Sequence, residues 1–125
     1  MRMPMLAVAA ALLVPSTAAT QAPVPPVLTI ALYSHGYAPN PIRLRAGQSV
    51  TLNFVNRAGK GHDFTAPRFF GSARLMAGPP QGGVVDLAPG ASARVTLVPA
   101  RGTYKVHCSH FFHKQLGMRG TIIVE

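Results

Sequence analysis

Short runs of alternating apolar and polar residues recur along most of the chain, and a turn signal closes each of them. Leu28, Ile30 and Leu32 share one parity. Ile42 and Leu44 alternate with Arg43 and Arg45, and Val50, Leu52 and Phe54 alternate with Thr51 and Asn53. Further on, Ala93, Val95 and Leu97 alternate with Arg94 and Thr96, and Tyr104, Val106 and Cys108 with Lys105 and His107; Thr121–Glu125 is also strand-like. Successive side chains on a strand point to opposite faces, so each run carries one apolar face that a second layer must cover. Pro39-Asn40-Pro41, Ala46-Gly47, Ala58-Gly59, Pro89-Gly90 and Arg101-Gly102 separate the runs. Short strands punctuated in this way predict an antiparallel sandwich or barrel. The stretch Pro67–Pro80 breaks the pattern: Phe69, Phe70, Ala73, Leu75 and Met76 predict one short helical insertion near 67–77.

A length of 125 residues suits one domain. Residues 1–19 read as a cleaved signal peptide, with Arg2 as the positive start, Met5–Val14 as the apolar run and Ser16–Ala19 as small residues before the cut. Pro15 ends the apolar run short of the roughly twenty residues a membrane helix needs. Residues 20–26 form a Pro-rich leader and 27–125 the domain. The expectation is an exported, periplasmic protein, monomeric and without stable membrane insertion after cleavage.

Twelve Lys and Arg face three Asp and Glu, a formal charge of +9 that falls by one when Arg2 leaves with the signal. Such a balance suits an acidic partner. The cations are scattered, with no dense run and no interleaved aromatic platform, which argues against nucleic acid. A single cysteine excludes an internal disulfide framework and multi-cysteine structural zinc. In an oxidising compartment a lone thiol is exposed to oxidation unless something occupies it.

The surroundings of that cysteine carry the chemistry. Cys108, His113 and Met118 follow one another in Cys-Ser-His-Phe-Phe-His-Lys-Gln-Leu-Gly-Met, and His62 lies far upstream after a glycine-rich turn. One thiolate, two imidazoles and one thioether make a soft, mixed donor set that suits copper in both oxidation states. Zinc fits poorly, because methionine is not among its usual ligands. Gly117 and Gly120 flank Met118 and permit the chain to turn. His110 is the competing histidine: it can ligate in place of His113, bind a second metal weakly, or lie on the surface. His35 and His107 read as structural or solvated.

The chain resembles the cupredoxins, the small type 1 blue-copper family of plastocyanin and azurin. The likeness runs through Tyr37-Ala-Pro-Asn-Pro-Ile42, Ala46-Gly47-Gln-Ser-Val50, Asn56, His62-Asp63-Phe64 and Gly102-Thr-Tyr104 to Cys108, His113 and Met118-Arg-Gly-Thr-Ile-Ile-Val124. The resemblance implies an all-β, eight-stranded Greek-key sandwich with one type 1 copper ion on His62, Cys108, His113 and Met118. It also implies a one-electron carrier cycling Cu(II)/Cu(I), not an enzyme, that serves a redox partner protein; the positive surface suits an acidic one. A periplasmic copper-handling protein for resistance or metallation, using the same site, is the alternative.

Three features depart from the better-known members. The Cys-to-His and His-to-Met intervals are both long, a combination also similar to the mononuclear copper loop of multicopper oxidases. His107 precedes the cysteine as a trinuclear-site histidine does in those oxidases, but Ser109 follows it, and His35 and His110 are too few for a trinuclear cluster. Asp63 stands where the family commonly has Asn, and is expected to bond across to Ser109. Phe111 and Phe112 are expected to wall the copper from water, with an exposed docking patch as the other reading.

Overall fold

The computed structural model describes residues 2–18, 23–78, 80–110 and 117–125. Residues 2–18 are exposed and form no helix or strand. From there the alternation becomes strands: β1 (Val27–Tyr33), β2 (Gly36–Ala38), β3 (Ile42–Leu44), β4 (Val50–Asn56), β5 (His62–Thr65), the helix α1 (Pro67–Ser72), β6 (Arg74–Ala77), β7 (Val84–Leu87), β8 (Ser92–Val98), β9 (Gly102–His107) and β10 (Arg119–Val124). They form two five-stranded sheets, ordered β2-β1-β4-β8-β6 and β3-β10-β9-β5-β7.

The two-sheet, nearly all-β architecture agrees with the alternation. Ile30, Leu32, Leu52, Phe54, Val95 and Leu97 project from the first sheet into one core shared with Ile42, Phe64, Leu87, Val106 and Ile122 of the second. The rings of Phe54 and Phe64 lie 4.7 Å apart across the two layers, and Tyr37 meets Phe64 edge-on at 5.3 Å.

Three details differ from the sequence reading. The described residues hold ten strands rather than eight, because the edges carry short three- and four-residue segments (β2, β6, β7) whose periodicity is too brief to register. The sheets are mixed, not purely antiparallel: β1 pairs in parallel with β4, and β3 with β10. The chain leaves the first sheet after β2, makes β3 in the second and returns as β4. A period of two reports faces and says nothing of strand direction.

The helix is the third difference, ending at Ser72 rather than near 77. Pro67 opens it, Phe69 and Phe70 plug it into the core, and Ala73 is already extended. Phe69, Ala73 and Met76 fall at helical spacing. Yet Leu75 and Met76 are 45% and 54% exposed on β6, an edge strand beside β8. Their apolar character answers to no core face, so it did not mark them as an edge strand.

Candidate metal centre

The site lies at one end of the second sheet, where β5 begins, β9 ends and β10 begins. Asn56, fully buried at the end of β4, sets the first of these positions. Its side-chain amide donates to the carbonyls of Lys60 (2.9 Å) and Leu87 (3.0 Å), and its Oδ1 accepts from the Ala58 N–H (2.9 Å). These bonds pin the turn over 57–61 and thereby fix where His62 starts β5. His62 and Phe64 share the inward parity of that strand, and the imidazole is buried.

Cys108 follows β9 with its side chain on the core side, as the parity of Tyr104 and Val106 requires, and is fully buried. Its backbone N–H donates to the Met118 carbonyl at 3.1 Å, so the two residues face each other. Met118 is fully buried as well. Gly117, at φ +85°, makes the return turn that the sequence assigned to it. Gly120 serves packing instead. It sits inside β10, where a Cβ would lie 3.0 Å from Val106 Cγ1 and 3.2 Å from Tyr37 Cδ2.

The His62 Nδ1 lies 3.9 Å from Cys108 Sγ. Typical metal–nitrogen and metal–thiolate lengths sum to about 4.3 Å, so one ion set to the side can touch both atoms. Burial pushes the Cys108 thiol pKa up, and the charges of Asp63 and Asp86 add to this; backbone N–H groups of Asp63 and His110 act in the opposite direction. The Asp63 N–H reaches the sulfur at 3.4 Å. Such a pocket keeps the thiol protonated until a cation supplies the missing positive charge, whereupon the two N–H groups are already aimed at a thiolate. The donors on hand therefore fit a soft metal ion.

Asp63 braces this arrangement from the outer face of β5. Its Oδ1 accepts from the Ser109 N–H (2.8 Å) and the Thr65 hydroxyl (2.7 Å), and its Oδ2 accepts from the Ser109 hydroxyl. The Tyr37 phenol donates to the Asp63 carbonyl at 2.7 Å. The strand bearing His62 is thus tied to the residue after Cys108.

His110 is 34% exposed, with Nε2 at 3.0 Å from Asp86 Oδ1 and 3.7 Å from Asp63 Oδ2. Donor atoms of Asp63, Cys108 and His110 all lie within 4.8 Å of one another. His110 therefore stands beside the sulfur while its ring is engaged by the Asp86 carboxylate. His113, Phe111 and Phe112 lie outside the described residues. His35 is exposed in the β1–β2 turn, and His107 faces outward and is half-buried.

Sequence reasoning did not single out Thr65 or Asp86, and used Asn56 and Tyr37 only as marks of resemblance. Asp86 had one available signal: it is one of three carboxylates in the chain.

A two-sheet β-sandwich with a buried cysteine beside a buried imidazole at one end defines a class of small metal-site domains. The sequence matches the cupredoxin-like domain family over residues 4–124, and the chain belongs to that family. Solved structures share the fold at low identity. Auracyanin from the photosynthetic bacterium Roseiflexus castenholzii, described as dithionite-reduced, is 23% identical with a TM-score of 0.61, over 79% of this chain and 96% of that one. Auracyanin B is 24% identical with a TM-score of 0.60, over 88% and 95%. A multicopper oxidase from Campylobacter jejuni, described as a metallo-oxidase, aligns at 12% identity and a TM-score of 0.62, but over only 32% of its own length. No curated protein sequence matches the chain.

Proposed function

We propose that the protein is a type 1 copper electron carrier, with His62, Cys108, His113 and Met118 as the ligands of one ion. The observation that carries this reading is the 3.9 Å approach of His62 Nδ1 to a buried Cys108 Sγ, with Met118 bonded to the same cysteine's backbone. His113 enters from its sequence position, five residues after Cys108. Copper held there would accept one electron as Cu(II) and release it as Cu(I).

The residues' own contribution is rigidity. Asn56 fixes the start of β5, Asp63 clamps that strand to Ser109, and a backbone bond ties Cys108 to Met118. A site held from three strands resists rearrangement when its charge changes, which favours electron exchange over reactions that need an open coordination position. The alignment, which spans 96% of one auracyanin and 95% of the other, supports the carrier reading. No helix among the described residues is long and apolar enough to cross a membrane. The leader-like residues 1–19 support work outside the cytoplasm, in a periplasm.

The test is a redox cycle on the copper-loaded protein in the presence of a Cu(I) chelator. A carrier bleaches with one reducing equivalent, recolours on oxidation and retains its copper throughout. Loss of copper to the chelator on each reduction would favour the copper-handling reading instead.

A further inference from the structure

The outer face of the second sheet carries charge that the site does not use. Lys105 and His107 project from β9, and Arg119 stands opposite His107 on β10. A shallow groove of about 410 Å³ runs between these two strands, lined by Lys105, His107 and Arg119. A second, of about 390 Å³, shares Lys105 and His107 and continues to Arg68 at the start of α1. The two grooves form one concave basic strip, which reaches within one residue of Cys108 at His107 and of Met118 at Arg119.

Nothing among the described residues neutralises this strip. The chain has three carboxylates. Asp63 is buried and bonded to Ser109 and Thr65, Asp86 faces His110, and Glu125 reaches Arg43 at 3.4 Å. Lys105, Arg119 and Arg68 are exposed and make no ion pair with any of them.

We propose that this strip is the docking surface for an acidic protein partner, the redox partner of the proposed carrier; the partner's role, though not its docking, rests on that reading. Three permanent cations on a concave face suit a protruding, carboxylate-bearing protein segment, which they would both steer and orient. They fall short of the roughly six to ten phosphate contacts that give a nucleic acid its affinity. They also fall short of the roughly four to eight clustered cations that hold a protein on an anionic bilayer.

The experiment titrates the isotopically labelled, metal-free protein with poly-L-glutamate and follows backbone amide shifts. Single-stranded DNA and phosphatidylglycerol vesicles are the comparison probes. Shifts should cluster at 103–107 and 119–121, and Lys105→Glu with Arg119→Glu should weaken poly-L-glutamate binding by about tenfold or more. Arg45→Glu with Arg94→Glu makes the same change in net charge elsewhere on the molecule and should leave binding nearly unchanged. Equal weakening by both pairs, scattered shifts, or stronger binding of DNA or vesicles at the strip would overturn the proposal. Copper colour is read separately on both variant pairs and the wild type, so a colourless wild type would sink the copper reading without touching the docking result.

Discussion

Asp63 bears more of the site's geometry than the spacing of the ligands could suggest. Its carboxylate takes three hydrogen bonds from Ser109 and Thr65, and its carbonyl takes a fourth from Tyr37. Asp63→Ala would leave the buried Thr65 hydroxyl without its acceptor and release Ser109, and a buried group so left costs about 1–3 kcal/mol. A fall of that size in urea stability is expected, whereas Asp63→Asn keeps an acceptor oxygen for the Ser109 N–H and should lose less. Tyr37 makes a second prediction. Burial, with the charges of Cys108 and Asp63 behind it, raises its phenol pKa far above the ordinary 10.0. A raised folded value means stability that is complete below pH 10.0 and declines as the pH climbs past it, since the unfolded chain ionises first. The decline should approach about 1.4 kcal/mol per pH unit. Alkaline unfolding curves of Tyr37→Phe should lack that slope.

At the scale of elements, the long strands were legible, and of the short ones only β3 was. β4 and β8 each run seven residues, and β4 buries every second side chain completely, so parity alone located them. β6 shows no such alternation because it is exposed along its whole length. The parallel pairings were hidden because they depend on where the chain changes sheets, not on which face is apolar. For the site, soft donors at close spacing singled out Cys108 and Met118 as candidates. The Asp63–Ser109 brace was expected from the resemblance and is found, whereas the bracing by Asn56 was silent, because it acts on Leu87, remote in sequence. Gly120 shows the same limit: its role comes from the closeness of Val106 and Tyr37, not from a turn. Gly120→Ala should therefore overpack β10 and lower stability by about 1–3 kcal/mol in chemical denaturation.

Over the whole molecule, one core joins both sheets, and no disulfide can reinforce it in a chain with one cysteine. His62 at the start of β5 and Cys108 after β9 come together only in the folded state. A ligand that binds the folded chain alone stabilises it by mass action. Adding copper should raise the thermal midpoint of the wild type and leave that of Cys108→Ser nearly unmoved, as scanning calorimetry would read.

The central claim is that the Cys108 thiolate binds copper, and the visible absorption spectrum of the copper(II)-loaded protein tests it most directly. An intense thiolate-to-copper charge-transfer band should appear in the wild type and vanish in Cys108→Ser. A wild-type protein that binds copper(II) yet shows only weak absorption, unchanged by Cys108→Ser, would contradict it.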